Sequence, residues 1–175
     1  MENAKICNNY NLDETIAKDY LAQFTYPWEA LAGISDYIKA LGPTLDKEIF
    51  EEVSENVWVA KSAEVAPGAH LGAPLIVDEN AKIGHGAFIR TSGIIGKGAY
   101  VGTASEVKNA ILFNGVQVPH YNYVGDSVLG HKAHMGAGAI TSNLKADKTN
   151  IIVKDCYDTQ EAIETGLRKM GAMLG

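Results

Sequence analysis

Cysteine is scarce in this 175-residue chain. Cys7 and Cys156 lie outside its patterned region, and neither has metal-ligand spacing around it, so both are expected as reduced thiols. No stretch approaches the roughly 20 apolar residues of a membrane span, and the amino terminus lacks the apolar core of a signal peptide. A cytoplasmic chain with no membrane partner is expected. Positive charge is also short: 15 Lys and Arg against 21 Asp and Glu leave a net charge of −6, which argues against a nucleic-acid surface. The first fifty residues contain no glycine-rich phosphate loop, which excludes nucleotide binding of that kind there. What remains, at 46% apolar residues, is enough for one domain with its own core plus appendages.

What the sequence has is a six-residue beat. Val53, Val59, Val65, Leu71, Val77, Ile83, Ile89, Ile95, Val101, Val107 and Phe113 are all aliphatic or aromatic, and each is followed four residues later by a mostly small partner such as Ala63, Ala69, Ala81, Ala87, Ala99 or Ser105. A fixed period of this kind is read before any propensity. Six residues make one short strand and a corner, three make a triangular coil, and stacked coils bury the branched residues in one column. Adjacent coils lie roughly 4.8 Å apart, so residues eighteen apart in sequence become neighbours. The pattern predicts an all-β fold, a single-stranded parallel β-helix, over residues 51–144.

Residues 1–50 read as an N-terminal helical arm. Asn11 offers an N-cap with Glu14 three residues on, and Ile16, Tyr20, Leu21 and Phe24 fall on one helical face. Pro27 suits the first turn of a second helix whose buried stripe is Trp28, Leu31, Ile34, Ile38 and Leu41, stopped by Gly42-Pro43, with a short third helix after Thr44. The hexapeptides run to Phe113, break over 115–123, and resume at Leu129-Gly130 and Met135-Gly136. The break reads as a loop on one face, and such loops often carry function. Residues 145–175 read as a polar loop, a strand at 151–154, and in Leu174-Gly175 the opening of a further rung. An apolar rung there calls for a covering partner or a continuation.

The residue after each repeat apolar is expected to point outward. Two of these, Arg90 and Lys108, are cations eighteen apart, which stacks them on one face of adjacent coils. Two cations held that close call for an anion of phosphate size; the alternative is a solvated pair sharing Glu106. His120, in the interrupting loop, is either a general base or a structural histidine. His131 and His134 are spaced His-x-x-His, unlike the His-x4-His of proteins resembling γ-class carbonic anhydrases, and neither His70 nor His85 completes that set, so no metal is expected.

Three segments carry a specific resemblance: Glu106-Val107-Lys108-Asn109, Pro119-His120-Tyr121-Asn122-Tyr123-Val124-Gly125-Asp126, and Met135-Gly136-Ala137-Gly138-Ala139-Ile140-Thr141-Ser142-Asn143. In order and spacing, over roughly 75–145, they resemble the acetyltransferase half of the bifunctional bacterial uridyltransferase/glucosamine-1-phosphate acetyltransferases, and proteins labelled UDP-N-acetylglucosamine pyrophosphorylase-related. The resemblance implies a left-handed β-helix, homotrimers with sites between subunits, and transfer of an acetyl group from acetyl-CoA, as co-substrate, to an amino-sugar phosphate such as glucosamine-1-phosphate. It makes His120 the base that takes the amine proton. Arg90, Lys108 and Tyr123 would hold the phosphate, Asn143 and His134 the sugar, and the Ala137 backbone would lie near the acetyl group. His134 stands where that family commonly has Asn, and Leu144 where it has Tyr. Family coils that form much of the acetyl-CoA site would follow Gly175. Uridylyl transfer is not expected, and with no cysteine or serine beside His120 the transfer would be direct. The alternatives are a catalytically silent binding or scaffold solenoid and a zinc lyase of carbonic anhydrase type.

Overall fold

The computed structural model describes residues 1–155 and 161–175; Cys156 lies outside them. From Val57 the chain winds as a parallel β-helix with three faces. The first face stacks Val57–Ala60, Leu75–Val77, the second half of Phe88–Ile95, the second half of Glu106–Leu112, the end of Tyr123–Leu129, and finally Met173–Leu174. The second face stacks Glu64–Val65, Lys82–Ile83, Tyr100–Thr103 and Gln117–His120, with His134 bridged to Gln117. The third stacks His70, Phe88, Glu106, Tyr123 and Ile140. Inside, Val77, Ile83, Ile89, Ile95, Val101 and Val107 are fully buried, and the small residues Ala81, Ala87, Ala99 and Ser105 are buried with them.

Several expectations change. Val53 does not start a coil: Phe50–Ser54 pairs antiparallel with Val57–Ala60 and leaves Val53 half exposed. The 115–123 break is not a loop either. One residue is taken up at Arg90, where the register passes from Ile89↔Val107 to Thr91↔Lys108, and later coils repeat every seventeen residues instead of eighteen: Val101↔Val118, Val107↔Val124. A fixed six-residue frame slips out of phase there and mistakes a regular coil for an interruption. Some of the residues expected to point outward, Ala60, Asp78, Gly96 and Gly102, are buried as well. Asp78 is 1% exposed, with Oδ1 accepting from the Glu79 backbone at 2.7 Å, and burial pushes its carboxyl pKa up. The backbone of the following coil lies close over such positions: a Cβ on Gly102 would stand 1.8 Å from the Pro119 carbonyl oxygen. Finally, no helix follows Thr44; a 3-10 turn at Gly42–Thr44 leads to a bend.

The first face is buried on both sides, which is why its strands read as continuous apolar runs, Val57-Trp58-Val59 and Leu75-Ile76-Val77 among them. The cover is the helical segment. Instead of one helix, residues 12–21 form a 3-10 turn, Leu12–Glu14, and a short helix, Lys18–Leu21. Thr15 separates them in extended backbone, its hydroxyl accepting from the Ala17 N–H at 3.1 Å. The Glu14 carboxylate is drawn instead to the Asn114 amide at 3.2 Å. The second stretch is helical from Pro27 but not as one α-helix: Pro27–Gly33 is a 3-10 segment, with the Glu29 carboxylate accepting from Tyr26 N–H at 2.9 Å, Ile34–Leu41 is the α-helix, and Gly42 continues it into the 3-10 turn. Trp28, Leu31, Ile34 and Ile38 are buried. The segment is tied down by the Asn109 amide donating to Leu31 O at 3.2 Å and the Tyr10 hydroxyl to Val128 O at 3.4 Å.

Past Asn143 the chain leaves the stack. Ile152–Lys154 pairs antiparallel with Ala162–Glu164, and Met173–Leu174 then returns onto Val128 and Leu129 in parallel, so the rung anticipated at Leu174 is present.

Candidate functional site

His120 ends the last strand of the second face, at the corner where the chain turns onto the third. The corner is made by Tyr121 at a φ of 51°, a left-handed conformation, directly above Ala104 at 50° in the preceding coil. Tyr121 N–H donates to Thr103 O at 2.9 Å, and Gly138 N–H to His120 O at 3.0 Å. Ala137 therefore lies on the coil next to His120. Asn122, 3% exposed, fixes this corner: its Oδ1 accepts from His120 N–H at 3.0 Å while its Nδ2 donates to Gly136 O at 2.8 Å and Ala139 O at 3.2 Å. The backbone is held on both sides while the His120 side chain is exposed.

On the third face, three of the expected binding residues converge. Lys108 Nζ lies 3.0 and 3.1 Å from the two carboxylate oxygens of Asp126. Asn143 Nδ2 donates to Asp126 Oδ2 at 2.5 Å and to the Tyr123 hydroxyl at 3.2 Å. Asn109 Nδ2 adds a bond to Asp126 Oδ1 at 3.0 Å. Gly125 makes room for this group, since a Cβ there would stand 2.4 Å from the Tyr123 hydroxyl oxygen. Asp126 itself is buried, and sits at a φ of 48°.

Arg90 is not stacked on Lys108. As the extra residue of the bulge it falls out of register, and its guanidinium lies 3.4 Å from Glu106, which pairs in register with Tyr123. Each cation thus has its own carboxylate, so the pair does not share Glu106. His134 is on the second face, opposite Gln117, away from the Lys108–Asn143 group, and is exposed. Among the described residues, no three His, Cys, Asp or Glu side chains come close enough to hold a metal ion, and no helix is long and apolar enough to cross a membrane.

Asp126, Asn109 and Asn122 were not singled out from the sequence. Asp126 lies eighteen residues after Lys108, but the coil there repeats every seventeen and Gly125 is the residue in register with Lys108, so a fixed offset gave no signal for it.

Comparison with known proteins bears on the family. The chain is 28% identical over 173 residues to the bifunctional protein GlmU of Methanococcus maripaludis, covering 98% of the chain and 41% of that relative. It is 29% identical over 124 residues to the bifunctional sugar-1-phosphate nucleotidylyltransferase/acetyltransferase of Sulfurisphaera tokodaii, covering 71% of the chain and 30% of that protein. The chain thus spans about two fifths or less of the length of these relatives. A solved structure of the acetyltransferase domain of PglB from Neisseria gonorrhoeae, in complex with acetyl coenzyme A, aligns with 49% of the chain and 42% of its own at 20% identity and a TM-score of 0.47. Residues 72–163, more than half of the chain, match the family described as the GMPPB C-terminal domain, and it is to this family that the chain belongs.

Proposed function

We propose that the chain is an acetyl-CoA-dependent N-acetyltransferase for an amino-sugar phosphate such as glucosamine-1-phosphate, without uridyltransferase activity, working as a cytoplasmic homotrimer of left-handed coils. The observation that carries this reading is the convergence of Lys108, Tyr123 and Asn143 on one face, one corner from an exposed His120 whose backbone is fixed on both sides. The names of the relatives, which include an acetyltransferase acting with a sugar-1-phosphate nucleotidylyltransferase, support the same class of acceptor.

In the reaction, the amine nitrogen of the acceptor attacks the thioester carbonyl, a C–N bond forms, the C–S bond breaks, and coenzyme A leaves as its thiolate. His120 takes the proton the amine must lose. The Ala137 backbone, beside His120 in the next coil, lies on the acetyl side. Arg90, Lys108 and Tyr123 hold the acceptor's phosphate, and Asn143 and His134 the sugar. His134 is on another face from Asn143, which favours a site completed by a neighbouring subunit. Light scattering at micromolar concentration is expected to give a trimer, and a monomer would remove the shared site.

The phosphate assignment has its own test. Replacing either Arg90 or Lys108 by Ala is expected to weaken phosphosugar binding by about 1.5–3 kcal/mol, as charge-assisted hydrogen bonds do. The double variant should lose less than the two single losses together, because both groups address one phosphate. Calorimetric titration reads both. Unchanged affinity in the two single variants returns the pair to a surface role.

A further inference from the structure

Asp126 is 4% exposed, yet its carboxylate receives four hydrogen bonds: two from Lys108 Nζ, at 3.0 and 3.1 Å, one from Asn109 Nδ2 at 3.0 Å and one from Asn143 Nδ2 at 2.5 Å. Its backbone is fixed as well, with the carbonyl oxygen accepting from Gly171 N–H at 2.8 Å. Lys108 and Asn143 come from different coils, and among the described residues Asp126 is the one acceptor that holds the Lys108 ammonium. Arg90 has a separate carboxylate, Glu106, at 3.4 Å. The cations of the acceptor site are therefore already neutralised before any ligand arrives, and a phosphate that engages Lys108 must share it with a buried anion.

We propose that Asp126 is the positioning residue of the acceptor site: it fixes Lys108 and Asn143 in one orientation, and it is the counter-ion with which the acceptor's phosphate shares Lys108. This rests on the acceptor reading given above. Two consequences pull in opposite directions. The charge of Asp126 opposes an incoming anion, so it weakens phosphate binding. Its oxygens orient Asn143, so it raises turnover. A group that merely held the fold together would raise both or neither.

Asp126→Asn separates them. All four hydrogen bonds arrive from donors, so one amide face of the new side chain must meet a donor and release it. Inorganic phosphate, titrated calorimetrically, is expected to bind roughly tenfold more tightly than to the parent, because the opposing charge is gone. In the same variant kcat for acetyl transfer to glucosamine-1-phosphate is expected to fall by roughly 10²-fold, the cost of a misplacement of about 1 Å. Phosphate affinity and kcat falling together in a folded variant, or neither changing, overturns the proposal. Should Asp126→Asn fail to fold, Asp126→Asn/Lys108→Gln replaces the ion pair by a neutral pair, which buried sites commonly tolerate. That variant should bind phosphate roughly tenfold more weakly than the parent, and equal affinity overturns the proposal. If the parent transfers no acetyl group, the reaction reading fails on its own, and the phosphate titrations alone decide the role of Asp126.

Discussion

Replacing His120 by Ala is expected to lower the turnover of amino-sugar acetylation by roughly 10²–10⁴-fold, the range of a lost general base. The fold should not change with it. The His120 side chain is exposed, and the contacts that fix its corner are made by backbone and by Asn122: Asn122 Oδ1 to His120 N–H, and Gly138 N–H to His120 O. Ala keeps both of those groups. Steady-state kinetics with a melting curve on the same preparation separates the two effects, and a variant as active as the parent removes His120 from the chemistry. Substrate affinity should change far less than kcat, since the phosphate and sugar contacts are assigned to other side chains.

Phe113→Ala is expected to destabilise the chain by about 3–5 kcal/mol, because it empties a large aromatic site in a packed interior. Phe113 is fully buried, where the first face turns the corner toward the second, and its ring lies 5.5 Å from that of Tyr10 on the covering helical segment. Tyr10 is itself buried and reaches Val128 O through its hydroxyl. The cavity would therefore open between the solenoid and its cover, and both must loosen together. Urea denaturation monitored by circular dichroism measures the loss; a change below about 1 kcal/mol, as for surface substitutions, would mean that the segment does not depend on this contact.

The sequence made the architecture legible because the six-residue beat is a direct consequence of coil geometry. Ile83, Ile89, Ile95, Val101 and Val107 are where the beat puts them. Two things were hidden. A period holds only as long as every coil has the same length, and beyond Val107 the coil is one residue shorter because Arg90 has no partner in it, which is why a regular strand at Gln117–His120 looked like part of a loop. Outward and exposed are also different properties in a stacked fold. Trp58, Ile76, Ile94, Ile111 and Val128 point away from the coil interior and are buried all the same, under residues 1–44. Their signal was present, as apolar triplets recurring every seventeen or eighteen residues, which a beat of one apolar residue in six does not reveal. Within the site, Lys108, Tyr123 and Asn143 could be named by resemblance to a family, and the structure brings them together. Asp126 could not be named that way, since its part lies in what it holds and not in what it offers a ligand.

The most direct measurement is an acetyl-transfer assay on the intact chain with acetyl-CoA and glucosamine-1-phosphate, following released thiol and the sugar product by mass spectrometry in the same samples. N-acetylated sugar phosphate and free coenzyme A thiol are expected to appear at equal rates, and both to be lost in His120→Ala. Thiol release without acetylated sugar, or no product from any amino-sugar phosphate by a folded trimer, would contradict it.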